Sequence, residues 1–425
     1  MLDIRLIREK PDFVAERLAT RGDASAKETV ARILEFDERR RRAESEAQRL
    51  KTERNRVSKE LGARKAKGED ISAAAAEVRT IGDRITDLDA QAAAADAEQR
   101  EALLATPNLP HPGAPIGRSA DDNPVVREWG SKPTFKFTPK SHIELGESLG
   151  LLDFERAARI SGSAFAVYTG VGARLERALI NFLVDLHTRE HGYVEVGVPY
   201  LVKPEALIGT TQLPKFAEQQ YRCADDDLYL LPTAEVPVTN LHREEIVQLA
   251  NLPIKYAAYT PCFRREAGAA GVGTRGLIRM HQFDKVELVK ICTPETSYAE
   301  HESLTADAEM VLQRLGLHYR TIELCTGDLG FGGAKTYDVE VWAPGQDGYL
   351  EVSSCTNFED YQARRMNLRF KDAEGKNRFC HTLNGSGTAL ARLYVALLEN
   401  GQREDGSVAV PPALQPYLGA AEIRR

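Results

Sequence analysis

Arginines, glutamates and a phenylalanine recur at two-residue steps within one stretch of this sequence, a spacing suited to chemistry on a charged substrate. Arg264 and Glu266 form one such set, and Arg279, His281, Phe283, Lys285 and Glu287 form a second. Side chains alternate along an extended chain, so each set shares a face, with Ile278, Met280, Val286 and Leu288 mostly pointing the other way. Residues 255–266 and 277–291 are rich in β-favouring types, and 267–276 between them contain four glycines. The pattern predicts two antiparallel strands around a flexible connector. One sheet surface would then carry two arginines, two carboxylates and a flat ring. Such a surface suits a polyanion with an adenine-sized base and a small zwitterion beside it. A solvated hairpin face is the plainer alternative. Against it, Arg and Glu interleaved with Phe make an unusual face for water, and the connector is longer than a tight turn requires.

Three further segments could complete such a site. Thr233, Ala234 and Glu235 lie between apolar stretches, where Thr followed by Glu could equally cap a helix. Residues 336–342 and 348–354 read as two strands around a turn with Pro344 and Gly345, the second carrying Glu351, Val352, Ser353 and Ser354. Residues 381–400 read as a Gly-rich strand end, with Asn384 and Ser386, running into an amphipathic helix that places Arg392 in its first turns. Taken alone, the last segment is a capped core helix with a surface arginine. The glycines would let backbone approach a ligand closely.

Together these segments resemble the class II aminoacyl-tRNA synthetases, and the wording of 263–266 and 279–287 is most similar to bacterial seryl-tRNA synthetases. The resemblance covers essentially the whole chain. It implies an α+β fold, with an N-terminal antiparallel helical coiled-coil arm and a class II synthetase catalytic domain. That domain would be built on a mostly antiparallel β-sheet flanked by helices. It implies a ligase that joins L-serine to tRNA(Ser) through a seryl-adenylate, with ATP as co-substrate and Mg2+ as metal, and serves tRNA(Sec) where the host has one. Serine would meet Thr233, Ala234, Glu235, Arg264, Glu287, Asn384 and Ser386. ATP would meet Arg264, Arg265, Glu266, Arg279, Phe283, Arg392 and the run from Glu351 through Val352 and Ser353 to Ser354. Glu351 and Ser354 would hold the metal, while Arg264, Glu266 and Arg392 would be catalytic. An oxygen-only site with few protein ligands suits Mg2+, which keeps waters and leans on phosphates. The connector reads Ala269 to Arg275, where the family often has an Asp near Gly273.

The rest of the chain must position that site. At 425 residues it is too long for one ordinary core. Four prolines between Thr106 and Pro115 forbid helix and place a boundary near residue 105, giving domains 1–105 and 106–425. Residues 1–26 read as a short helix, started by Pro11 and stopped by Gly22. From 27 to 104 a seam alternates steps of three and four. It runs through Ile33, Phe36, Arg40, Ala43, Ala47, Leu50, Arg54, Val57 and Leu61. After a break at 62–70 it resumes at Ile71, Ala74, Val78, Ile81, Ile85, Leu88, Ala92 and Ala95. That is an antiparallel coiled coil, each helix roughly 50 Å long, which should project as an arm.

From Asp37 to Lys67 there are twelve Arg or Lys against six Asp or Glu, a local positive rod in a chain of net charge −7. A solvated surface is the bland account. The resemblance makes it the surface for tRNA, recognised by shape and phosphate. A helix over 175–190 leading into a strand at 192–202 interrupted by Pro199 is similar to the first class II motif and implies a homodimer. Six scattered cysteines without a C-x-x-C pair suit a reducing cytoplasm, and no stretch is apolar enough to span a membrane. Two other readings are an arm-less relative that charges a carrier protein and a non-enzymatic coiled-coil scaffold. The arm opposes the first and the intact charged set opposes the second.

Overall fold

A computed structural model describes residues 1–267 and 276–425. The expected flap at 268–275 lies outside the described residues. The chain divides into two compact units, Met1–Pro107 and Asn108–Arg425.

In the first unit, two helices form where the sequence suggests one: α1 Ile4–Glu9 and α2 Pro11–Ala19. Pro11 divides them, because its missing N–H ends one helix and suits the first position of the next. α3 Ala26–Ala66 and α4 Ser72–Ala105 then pair as an antiparallel coiled coil. α3 alone is about 60 Å long at 1.5 Å per residue. Helix persists beyond Gly62, so the break is shorter than 62–70, and Gly68 with φ +77° serves the reversal. Ala43, Ala47 and Leu50 pack on Ile85 and Leu88. Leu61, Ile71, Ala74 and Val78 are only half-buried, and no helical residue between Val57 and Ile85 is buried. The pattern therefore overstates the dry part of the seam.

It also misses Asp37, which is buried at the base of the coiled coil. The carboxylate accepts from Arg8 at 3.0 Å, Arg41 at 2.9 Å, Arg40 at 3.2 Å and Gln99 at 3.3 Å. Burial pushes its acidity down, but these hydrogen bonds outweigh burial and hold the carboxyl below its ordinary range.

The second unit is organised by eight strands among the described residues. They are β1 Val125–Trp129, β2 Val194–Glu195, β3 Ile254–Phe263, β4 Gln282–Cys292, β5 Tyr319–Glu323, β6 Lys335–Ala343, β7 Gly348–Asn357 and β8 His381–Ala389. Their order across the sheet is β1-β5-β6-β7-β8-β4-β3-β2. Every neighbour is antiparallel except β2 with β3. The helices used below are α5 Val171–Arg189, α6 Glu235–Thr239, α7 Ser297–Leu315, α8 Tyr361–Met366 and α9 Leu390–Gly401. Leu179 and Leu183 of α5, Leu312 of α7 and Leu393 and Leu397 of α9 share a core with Val286, Val339, Val341 and Val352 of the sheet.

Three details depart from simple strand reading. The strand expected over 277–291 begins only at Gln282, and 276–281 is a turn. Gly276 takes φ +71°, the Leu277 N–H donates to His142 Nε2 at 3.2 Å, and the Arg264 N–H donates to the His281 carbonyl at 2.9 Å. The stretch 192–202 splits at Pro199 between β2 and a short strand, Leu201–Val202, in a separate three-stranded sheet. Finally, β7 and β8 each carry an extra residue relative to a partner. β7 slips at Val352, because Val339 faces Ser353 while Glu340 faces Glu351. β8 slips at Gly387, because Val286 faces Thr388 while Glu287 faces Ser386. Such bulges re-aim side chains.

Candidate active site

The sheet face opposite that core opens into a cavity of about 500 Å3. Phe283 and Lys285 reach it by strand alternation, and Asn384 and Ser386 line it from β8. Glu351 and Ser354 are three apart, which plain alternation would send to opposite faces. The bulge at Val352 turns both toward the cavity. Gly385 and Gly387 face the other way. A Cβ there would meet Cys355 Sγ at 2.9 Å and His187 Nε2 at 2.7 Å, so these glycines serve packing behind the strand rather than approach to a ligand.

One end of the cavity is a dry polar network. Lys285 Nζ pairs with Glu287 and donates to Thr233 Oγ1 at 2.8 Å. Asn384 donates to Glu287 Oε1 at 2.9 Å, while Oε2 accepts no well-aligned hydrogen bond and keeps capacity for a ligand's donor. Gln362 of α8 donates to Glu235 Oε1 at 2.7 Å. Burial, then the charge of Glu287, push Glu235 up to about 7 despite that bond. Thr233 also accepts the Glu235 N–H at 3.3 Å, but Ala234 occupies the N-cap of α6 and no side chain caps it, so the pair lines the cavity rather than forming a helix cap.

The other end is half-exposed and carries arginines. Arg392, third residue of α9, donates to the Glu351 carbonyl at 2.7 Å and the Ile278 carbonyl at 3.3 Å, and lies 3.5 Å from the Glu351 carboxylate. Arg279 pairs with Glu266 at 2.6 Å. Arg264 stands between the two ends. Its guanidinium lies 5.1 Å from the centre of the Phe283 ring, and its Nε donates to the carbonyl of Pro232, beside Thr233.

Ala234 and Ser353 are buried behind the lining, and Ser353 donates to the Ser386 carbonyl. Val352 and Glu287 are buried too, Val352 at the cavity wall. Arg265 is exposed, does not line the cavity, and binds Gln219 through its backbone. Ile278 and Met280 line the cavity with Arg279, since 276–281 is not strand. Sequence reasoning gave no role to Lys285, although its parity with Phe283 and Glu287 was visible. Gln362 carried no local signal, being 127 residues from Glu235.

For a divalent cation, the fit rests on oxygen donors. Asp338 stands in register with Ser354 across the sheet, and its Oδ1 is buried without a hydrogen-bond partner. Burial, then the Glu351 charge, hold its carboxyl well above the ordinary range. A cation would relieve that strain, so Glu351, Ser354 and Asp338 suit Mg2+. Among the described residues no group of three His, Cys, Asp or Glu is placed to hold an ion alone.

Residues 219–401 match the class II core domain model of the tRNA synthetases for G, H, P, S and T, which defines the protein's class. Residues 1–110 match the seryl-tRNA synthetase N-terminal domain. A serine–tRNA ligase of Akkermansia muciniphila is 60% identical over 100% of this chain and 99% of its own, and one of Geobacter sulfurreducens is 52% identical over 99% of each. The seryl-tRNA synthetase of Pyrococcus horikoshii, solved with ATP, superposes with a TM-score of 0.95 at 40% identity, covering 100% of this chain and 99% of that one. The chain belongs to the seryl-tRNA synthetase family. No helix among the described residues is long and apolar enough to cross a membrane.

Proposed function

We propose that this chain joins L-serine to tRNA(Ser) in two steps. An oxygen of the serine carboxylate attacks the α-phosphorus of ATP and the bond to the bridging oxygen breaks, so pyrophosphate leaves. A terminal ribose hydroxyl of the tRNA then attacks the adenylate carbonyl and AMP leaves. The observation that carries this reading is the position of Arg264, between the buried polar end and the half-exposed arginine-lined end of one cavity. From there one guanidinium can hold the serine carboxylate and the α-phosphate together. Catalysis is then mainly positioning and charge compensation.

Thr233, Glu235 and the remaining acceptor capacity of Glu287 receive the ammonium, with Ala234 shaping the loop. Asn384, Ser386 and Glu287 meet the hydroxyl. Alanine would leave those buried groups unpaired and bind poorly, whereas threonine must be excluded by size. Phe283 stacks on adenine, Glu266 contacts the base or braces the arginines, and Arg279 and Arg392 take the β- and γ-phosphates. The backbone around Val352 and Ser353 carries Glu351 and Ser354, which with Asp338 hold Mg2+. The ion, when bound, offsets phosphate charge.

The coiled-coil arm takes the tRNA. Arg54, Lys59, Lys65 and Lys67, toward its tip, have no carboxylate within ion-pair distance among the described residues, which leaves them for phosphate. A second copy of the chain covers the edge at β2, where Val194 is 60% exposed on a strand that, among the described residues, is paired on one side only. Work in the cytoplasm fits six unpaired cysteines, five of them buried.

The test is pyrophosphate–ATP exchange with serine, threonine, alanine, glycine and cysteine in parallel. Exchange with serine alone is expected. Exchange with another amino acid would overturn the pocket, and none at all would overturn the enzyme.

A further inference from the structure

Glu235 is held in place by a side chain with no part in the family motifs described above. Gln362 is buried on α8, and its amide Nε2 donates to Glu235 Oε1 at 2.7 Å. Its orientation is not free. Thr382 on β8 donates its hydroxyl to Gln362 Oε1 at 2.8 Å, so the amide oxygen is occupied and the nitrogen must face Glu235. α8 is fixed in turn by buried Arg365, which donates to the carbonyls of Ile208 and Leu213 and to the Tyr361 hydroxyl. A rigid chain of contacts thus runs from the sheet through Gln362 to one carboxylate of the dry pocket.

We propose that Gln362 is the positioning residue that keeps Glu235 oriented and ionised as the acceptor of the substrate ammonium, so that serine recognition depends on it although it touches no substrate. The inference rests on the reading that Glu235 meets that ammonium. The groups facing Glu235 are Glu287 and Lys285 of β4, Arg264 beyond β3 and Gln362 of α8. Burial and Glu287 favour its protonated form, while Gln362, Lys285 and Arg264 favour the carboxylate. A protonated Glu235 cannot accept from an ammonium with both oxygens, and a donor removed from beside a buried carboxylate leaves that carboxylate poorly satisfied.

The experiment measures KM for serine and for ATP by pyrophosphate exchange between pH 5.5 and 9, in the parent chain, Gln362→Met, Gln362→Glu and Glu235→Gln. In the parent, serine KM rises as pH falls through about 7. Gln362→Met fills the same space without the donor. It moves that rise about one pH unit upward and raises serine KM about fivefold at pH 7, with ATP KM unchanged. Gln362→Glu makes the profile two-sided. Serine KM still rises at low pH as Glu235 takes up its proton, and it also rises at high pH, because a protonated Glu there donates to Glu235 whereas an ionised one repels it and leaves it unoriented. A residue that merely filled space would not add the high-pH limb. Gln362→Met with an unmoved profile, Gln362→Glu following Gln362→Met, or serine and ATP KM changing together would each overturn the proposal. Unchanged serine KM in Glu235→Gln would instead defeat the underlying reading. A raised one there, with Gln362→Met silent, would defeat the role of Gln362 alone.

Discussion

Replacing Lys285 by Met should damage the catalytic unit out of proportion to the atoms removed. Lys285 and Glu287 are both buried, with side chains 7% and 0% exposed, and the ammonium is the opposite charge paired with Glu287 Oε2. Removing one member of a buried pair leaves the other uncompensated and costs about 3–5 kcal/mol, although the intact pair is itself worth little relative to an apolar pair. Thr233 also loses its donor. With a urea m-value of about 3 kcal/mol per molar, the midpoint should fall by about 1–1.7 M. Both tryptophans, Trp129 and Trp342, lie in the unit Asn108–Arg425, so fluorescence reports that unit without the coiled coil. At fixed protein concentration, the double variant Lys285→Met/Glu287→Met should recover at least half the loss. A single variant within about 1 kcal/mol of the parent, or a double variant that loses the sum of both singles, would refute a compensated buried pair.

Other perturbations separate the parts of the molecule. Arg392→Ala removes the side chain held by the Glu351 and Ile278 carbonyls. Pyrophosphate exchange should fall by about a hundredfold or more with serine KM little changed, and a normal rate would sink its phosphate role. Glu176, whose Oε2 has no hydrogen bond, is pushed up to about 8 from 4.5, chiefly by burial and then by Asp284. A folded-state value above the unfolded one gives stability that is complete below about 4.5 and lost as pH rises through about 8, at most about 4–5 kcal/mol. Glu176→Gln should therefore melt with the parent at pH 5 and above it at pH 9, and equal melting at pH 9 would contradict this. Changing Arg54, Lys59, Lys65 and Lys67 to Gln should weaken tRNA binding and flatten its salt dependence by roughly 0.7–0.9 per lost phosphate contact. Binding and salt slope equal to the parent's would remove the tip from the interface.

Periodicity carried the long elements. α3 and α4 were legible because a seam repeated over dozens of residues must face a partner, and the alternation of Phe283, Lys285 and Glu287 survives as three side chains on one face of β4. Where one residue decided the geometry, the pattern failed. Pro11 starts a helix as read, but the short helix before it was missed, and Gly276 with His142 turned a supposed strand at 277–281, so Arg279 reaches the cavity by a different route from Phe283. Glu351 and Ser354 share a wall only because of the bulge at Val352, which alternation cannot foresee and which the family wording carried instead. Asp37 contradicted its heptad because Arg8, from outside the coiled coil, completes its partners. The contact of Gln362 with Glu235 joins residues that no local rule connects.

The two ends of the cavity also differ in how firmly they hold their charges. Arg392 and Glu351 are 32% and 45% exposed, and Arg279 and Glu266 are 48% and 18% exposed. Ion pairs so close to water contribute about 0–1 kcal/mol, so a polyphosphate can take either arginine at little cost. A cation on Glu351 would offset the charge that Arg392 leaves behind. Lys285, Glu287, Glu235 and Gln362 are buried, and exchanging partners there means desolvated, unpaired charge. The arginine end is thus built to surrender its internal partners to a ligand that arrives and departs each cycle. The buried end keeps its partners, Lys285 on Glu287 Oε2 among them, and on the proposed reading accepts only a ligand that adds a donor beside Glu287 and Glu235. On the proposed reading, affinity for the nucleotide can be lost or gained by surface charge alone, whereas selectivity for the amino acid is locked to the buried network around the sheet.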